Sequence, residues 1–279
     1  MSGDGTNADT SIVAQFLSKV CPVLFKENLR VWNYTNPNCL GHKTRFDCGI
    51  LTLAPSNKTE LTGFTGKNNE ISSERVLVLA RGSVTVQESS SVEDVSKINL
   101  YDCIYLPPGS SCLVENTSTV ESVFAWASST SEIRTQHSES KKAQIIKTLS
   151  DITPVTLTVK GLERAIYPIK QTKSFHFALF KRGANTYSPL HTHDPPDFEE
   201  AFIVLKGNLW VTDLKGTTHA LDEFDFACVP PFGGNLNENK SDKEVSYIWI
   251  GAPPVNMKEL PVDREFSKYK HEMSLNKAM

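Results

Sequence analysis

Two stretches of this chain, 125 residues apart, carry one pattern, and a duplication of that kind constrains the architecture more than any composition does. Glu74-Arg-Val-Leu-Val-Leu-Ala-Arg-Gly82-Ser-Val-Thr-Val aligns with Glu199-Glu-Ala-Phe-Ile-Val-Leu-Lys-Gly207-Asn-Leu-Trp-Val, with the same step from the first glutamate to the glycine. Each copy reads as strand, glycine turn, strand. Further on, Asp102-Cys-Ile-Tyr-Leu-Pro107-Pro108 matches Asp225-Phe-Ala-Cys-Val-Pro230-Pro231, and Phe124-Ala-Trp126 matches Tyr247-Ile-Trp249, both at an offset of 123 residues. Between these landmarks, short β-branched and aromatic runs alternate with Gly, Pro, Asn and Asp. The expected fold is all-β, two antiparallel sandwiches or barrels in tandem.

Helical signal is confined to the edges. Ile12, Val13, Phe16, Leu17 and Val20 form one stripe over 9–20, capped by Asp9 or Thr10, and a second candidate covers 264–273. The organisation expected is an N-terminal helix in 1–24, a first barrel in 25–130, a linker in 131–150, a second barrel in 151–256 and a tail in 257–279.

With 29 basic and 32 acidic residues the formal charge is −3, which argues against a broad surface for nucleic acid or an anionic membrane and favours a small-molecule substrate. Neither a signal peptide nor a run long enough to span a bilayer is visible, so the cytoplasm is the expected location. The six cysteines form no Cys-x-x-Cys pair and are read as reduced and structural. Asn-x-Ser/Thr triplets at Asn33, Asn57, Asn116 and Asn239 are taken as chance occurrences.

The chemistry concentrates in the second copy. His191-Thr-His193 precedes Asp194-Pro-Pro-Asp-Phe-Glu199-Glu200 and a strand-like run that ends at Gly207. Residues two apart on a strand share a face, so both imidazoles can bind one divalent ion. Glu200 adds a carboxylate beside the core, where an unpaired charge is costly. Glu199 is the rival ligand; only one of two adjacent strand residues can point inward, and Glu200 is preferred. In the same register the first copy has Phe64, Gly66, Arg75 and Cys112 at the positions of His191, His193, Glu200 and Asn235, so no ligand set survives there.

This pattern resembles the cupin superfamily, specifically the two-domain bicupins, whose first motif runs Gly, His-x-His, Glu, six residues, Gly and whose second runs Gly-Asp, Pro, His-x-x-x-Asn. Here the first appears as Gly183, His191, His193, Glu200 and Gly207, with a longer loop. The second appears as Phe224-Asp225, Pro230 and Asn235-x-x-x-Asn239, with asparagine where histidine is usual. The resemblance covers about 45–130 and 170–252 and implies two jelly-roll barrels, the first degenerate and metal-free. It also implies self-association as a homodimer or larger, and one divalent ion per chain, Fe, Mn, Ni or Zn, held by His191, His193, Glu200 and Asn235. Asn235 can ligate through its amide oxygen, leave that position to water, or close a turn after Gly233 and Gly234. His176 is a partner of the ligands, a proton carrier or a solvent-facing edge residue, and Glu200 or Glu199 can double as a base. Tyr187, Phe202, Trp210, Phe226, Trp249 and Cys228 line a pocket or fill the core. Lys181, Arg182 and Lys206 attract an anionic substrate or are solvated strand ends. His42, His137, His219 and His271 are assigned no chemistry.

The leading functional expectation is a metal-dependent oxidoreductase of the non-haem dioxygenase type, acting on a small polar metabolite. A second is a metal-dependent hydrolase, aminohydrolase or isomerase. The layout is similar to ureidoglycine aminohydrolases, although their Glu-x-His-x-x-x-His ligand order differs from the order here. A third is a non-catalytic cupin used for binding or storage.

Overall fold

In the computed structural model, the described residues are 10–26, 28–36, 40, 42–61, 73–88, 95–130, 142–152, 155–157, 163–166, 172, 174–193 and 197–254. Two seven-stranded antiparallel sheets dominate. The one built mainly from the second half runs, in spatial order, Val13–Gln15, Phe226–Val229, Glu199–Lys206, Val245–Ala252, His176–Arg182, Glu163–Ile166 and Val155–Leu157. Its counterpart runs Gln144–Ile146, Cys103–Leu106, Arg75–Arg81, Ser122–Ser129, Phe46–Leu53, Leu29–Asn33 and Leu24–Lys26. The two orders correspond strand for strand, as the duplication requires. Each half closes with a smaller sheet: Lys58–Glu60, Cys112–Asn116, Val84–Glu88 and Val95–Ile98 in the first, and Thr186–Tyr187, Gly234–Asn239, Leu209–Asp213 and Thr218–Leu221 in the second, where His191–Thr192 also pairs with Gly234–Asn239.

The central strands of the large sheets are apolar on both faces because both faces are covered. Along Glu199–Lys206, Phe202 and Val204 enter the interior of the second barrel, whereas Ala201, Ile203 and Leu205 face the other way. Along Arg75–Arg81, Leu77 and Leu79 point into the first barrel and Val76 and Val78 away from it. The outward sets meet in one shared cluster, so the two large sheets pack back to back over a seam that includes Phe46, Ile50, Phe177, Phe226 and Ile248. Alternation with apolar residues on both sides is the mark of a strand buried on two faces.

The seam carries a matched pair of buried carboxylates. Glu74 accepts a hydrogen bond from the Ser174 backbone N–H of the second half at 3.2 Å, and Glu199 accepts one from the Arg45 backbone N–H of the first half. Each half thus satisfies the start of a strand in the other.

At the N-terminus the structure corrects the helical expectation. Val13–Gln15 is a strand on the edge of the second barrel's large sheet, with Val13 opposite Cys228 and Gln15 opposite Phe226, and only Leu17–Lys19 forms a 3-10 turn. Ile12 and Ala14 pack into the second barrel and Val13, Leu17 and Val20 against the seam. A residue set that can read as one helical stripe is therefore divided between two opposed surfaces. The expected linker likewise contributes to the fold: Gln144–Ile146 pairs with Cys103–Leu106 of the first barrel, and a helical turn, Thr148–Asp151, follows. Each half donates an edge strand to the sheet dominated by the other. The candidate helix at 264–273 and the 257–279 tail lie outside the described residues. Among the described residues no helix is long and apolar enough to cross a membrane.

Asn116 and Asn239, both in Asn-x-Ser triplets, are fully buried and serve matching turns. Each side-chain oxygen accepts from the serine two residues on, and each amide nitrogen donates to backbone carbonyls of the neighbouring loops.

The seated N-terminal strand predicts that Ile12→Ala lowers unfolding free energy by about 2–4 kcal/mol. Scanning calorimetry would register this as a loss of several degrees in Tm; a change under about 0.5 kcal/mol, as at a surface position, would show that the strand adds no packing.

Candidate metal centre

His191 is placed by a two-residue strand laid along Gly234–Asn239, with His191 opposite Asn235 and Thr192 opposite Gly234. The approach is so close that a Cβ on Gly234 would lie 2.6 Å from the His191 carbonyl oxygen, so only glycine fits. Glu200 comes from the facing large sheet. It lies opposite Gly251, which in turn lies opposite His176, and directly paired residues share a face, so Glu200 and His176 both look into the barrel. Gly251 leaves the space between them to aromatic rings: a Cβ there would be 2.4 Å from Phe198 Cζ and 2.8 Å from Trp249 Cζ2.

The ligand atoms of His191, His193 and Glu200 converge within 4.8 Å of one another. His193 Nε2 is 2.7 Å from Glu200 Oε1, the same oxygen that accepts from the Asn235 amide, and Trp249 Nε1–H donates to Glu200 Oε2 at 2.6 Å. His191 Nδ1 lies 2.9 Å from the Pro189 carbonyl; donation there assigns the proton to Nδ1 and leaves Nε2 for the centre. Phe198 packs on the His193 ring at 4.7 Å and on Trp249 at 6.1 Å, and the His176 ring also stacks on Trp249 at 6.1 Å.

The electrostatics suit a cation. Burial would push the Glu200 carboxyl up, but the charge and hydrogen bond of His193, the His191 ring and the Trp249 N–H hold it down at about 2. Burial lowers His191, with Glu200 only partly offsetting it, so its ring is kept neutral and available. Burial also lowers His193, yet the charge and hydrogen bond of Glu200 outweigh it and the net shift is upward. Asn235 Oδ1 is buried without a hydrogen-bond partner, an acceptor that a cation or a ligand N–H would satisfy. A divalent ion fits this donor set.

The remaining sequence candidates divide clearly. Glu199 points to the opposite face, into the seam, and burial raises its pKa to about 7 despite the backbone hydrogen bond and charge of Arg45. It is not part of the cluster, and the same is true of Phe226 and Cys228, which pack in the seam. His176 is no solvent-facing edge residue. Asn235 is a strand residue facing the barrel and not the corner of a turn. Phe202 and Trp249 face inward, whereas Tyr187 is exposed and Trp210 lies under the Lys240 ammonium on the outer face. Lys181 and Lys206 lie at the far ends of their strands from Glu200, and Arg182 is buried. His42 and His219 are outside the cluster; His137 and His271 are outside the described residues.

In the first half, Arg75 takes the place of Glu200 and donates to the Ser110 carbonyl at 2.6 Å and the Leu61 carbonyl at 3.5 Å. Cys112 stands where Asn235 does, its thiol pushed up to about 12 by burial although Arg75 pulls it down. Phe64 and Gly66 lie outside the described residues. Among the described residues no second group of three such ligands occurs.

No family model and no curated protein matches the chain. Solved structures do. AerE from Microcystis aeruginosa is 12% identical with a TM-score of 0.61, over 84% of this chain and 97% of that one. Ylba from E. coli is 14% identical with a TM-score of 0.64, over 89% and 94%. Oxalate decarboxylase from Lactobacillus farciminis, solved with formate, is 13% identical with a TM-score of 0.63, over 87% and 86%. The chain has the bicupin fold. Likeness at these identities extends to the fold alone. Inside the second barrel two aromatic residues stand beside the cluster: Trp249, which the sequence offers as pocket lining or core, and Phe198, which it does not single out. Trp249 serves as a landmark of the repeat, and Phe198 sits inconspicuously beside the two glutamates.

The raised pKa of Glu199 has a testable sign. A carboxyl raised from its ordinary 4.5 to about 7 favours the folded state when protonated, so its contribution is full below about pH 4.5 and is lost as pH rises through 7. Glu199→Gln, which keeps an acceptor for the Arg45 N–H, should flatten the fall in stability between pH 5 and 8, a difference on the order of 2–3 kcal/mol. Urea unfolding across that range measures it; parallel profiles for the two proteins would refute a neutral seam carboxyl.

Proposed function

We propose that the second barrel is the working half of a metal-dependent enzyme acting on a small polar metabolite, with His191, His193 and Glu200 as ligands to one divalent ion of the Fe, Mn, Ni or Zn type. The observation that carries this reading is the convergence of three ligand atoms within 4.8 Å in an aromatic-walled interior. When bound, such an ion supplies Lewis acidity and, if redox-active, electrons to dioxygen.

The chain's own residues would do the rest. The Pro189 carbonyl fixes the His191 tautomer, and Trp249 and Asn235 fix the Glu200 carboxylate. Phe198, Phe202 and Trp249 keep water from the interior, which strengthens every polar contact made there. Asn235 Oδ1 can accept from a substrate N–H or O–H or serve as a fourth ligand. His176, stacked on Trp249 and facing the same interior as Glu200, is an imidazole outside the ligand set and is suited to carry a proton.

Two histidines and one carboxylate with open positions favour dioxygenase-type oxidation. A reaction without net redox change, a hydrolysis, deamination, isomerisation or decarboxylation, is the second reading. It draws support from the buried amide of Asn235 and from the structural likeness to a protein named oxalate decarboxylase.

Elemental analysis of metal-stripped and reloaded protein should find about one ion per chain, lost in the His191→Ala, His193→Ala double variant. Oxygen consumption by the loaded protein then selects the first reading, and carbon dioxide or ammonia release without oxygen uptake the second. No retained ion under any loading leaves a non-catalytic barrel. Metal uptake must also displace the proton favoured on His193, so affinity falls as pH is lowered through its raised pKa. Calorimetric titration in buffers of different ionisation enthalpy should show proton release near neutral pH; buffer-independent heats would contradict it.

A further inference from the structure

We propose that Trp249 is a positioning residue whose indole N–H makes Glu200 a one-oxygen ligand, and so sets both the affinity of the centre and the room left beside it for substrate. The inference rests on the metal site proposed above. It starts from the unequal treatment of the two carboxylate oxygens: Oε1 faces His193 at 2.7 Å and the Asn235 amide, whereas Oε2 receives the Trp249 N–H at 2.6 Å. A short hydrogen bond to a buried carboxylate is charge-assisted and directional. Oε2 is therefore engaged by the indole, and Oε1 is the oxygen in contact with His193.

The indole is in turn held in place. Trp249 is 6% exposed, and its ring makes contacts with Phe198 at 6.1 Å, His176 at 6.1 Å and Phe180 at 5.9 Å. Gly251 allows this crowding, since a Cβ there would clash with both Phe198 and Trp249. The donor cannot follow the carboxylate if the latter rotates. Removing the N–H would leave Oε2 buried without that donor and free to turn toward the ion, changing Glu200 from one oxygen donated to two.

The test compares metal-stripped wild-type protein with Trp249→Phe, which keeps an aromatic ring and deletes the donor. Mn(II) is the probe, and electron paramagnetic resonance counts free ion and records the spectrum of the bound ion. The expected result is a rise of about 10- to 100-fold in Kd for Mn(II), the usual effect of losing a hydrogen-bond partner behind a metal ligand. An altered bound-ion spectrum should accompany it, which a loss of packing alone would not produce. If Trp249→Phe does not fold, benzothienylalanine at position 249, isosteric with tryptophan and lacking only the N–H, decides the matter by the same two readouts. Wild-type affinity and an unchanged bound spectrum in the folded variant overturn the role of Trp249 while leaving the metal site standing. Failure of wild-type protein to bind Mn(II), Fe(II), Ni(II) or Zn(II) overturns the metal site, and this inference with it.

Discussion

The back-to-back packing of the two large sheets is the constraint on which the rest of the molecule depends. It requires the central strands to be apolar on both faces, and so leaves few positions in either sheet where a charge can be tolerated. Glu200 occupies one of these, on the inner face. Glu199, its neighbour, is sent to the seam by the same alternation, and the matched use of Glu74 and Glu199 to cap strands of the opposite half makes that placement symmetric. Two adjacent glutamates with one environment in sequence thus end up in two environments in space, one beside imidazoles and ionised, the other among apolar side chains and pushed toward neutrality.

The same constraint explains how one barrel can lose its ligands without losing its fold. The seam needs the outward residues of Arg75–Arg81, and the inward positions are free to vary if the interior stays filled and its polar atoms satisfied. Arg75 contributes to the second condition by donating from Nη1 and Nη2 to two backbone carbonyls. Its long aliphatic stem also fills volume that would otherwise be a void.

Much of this was legible from the chain. The constant offsets between Asp102 and Asp225 and between Trp126 and Trp249 set the strand order of one half on the other, and His191, His193 and Glu200 followed from alternation together with burial. The N-terminal segment is not legible in this way, because Ile12, Val13, Phe16, Leu17 and Val20 fit a helical stripe. Nothing local reveals that Ile12 and Val13 will face different cores, since the sheet edge that receives them lies more than 200 residues away at Phe226–Val229. The pairing of Trp249 with Glu200 was hidden for a related reason. A hydrogen bond across adjacent strands depends on register and on the space above Gly251, and neither is written in the spacing of the two residues.

The reciprocal exchange of edge strands has a consequence for how the chain is made. A ribosome delivers Val13–Gln15 before either barrel, yet the edge that this strand covers exists only after Phe226–Val229 has emerged. Until then Val13–Gln15 lacks the strand it pairs with, and the first barrel itself waits for Gln144–Ile146 to close its own margin. Synthesis therefore passes through a long interval in which a nearly finished barrel displays its seam face to solvent, with Phe46, Ile50 and their neighbours uncovered. A nascent chain in that state exposes the kind of apolar surface that makes incomplete folds prone to aggregate, and Val13–Gln15 can be seated only after most of both barrels has been synthesised.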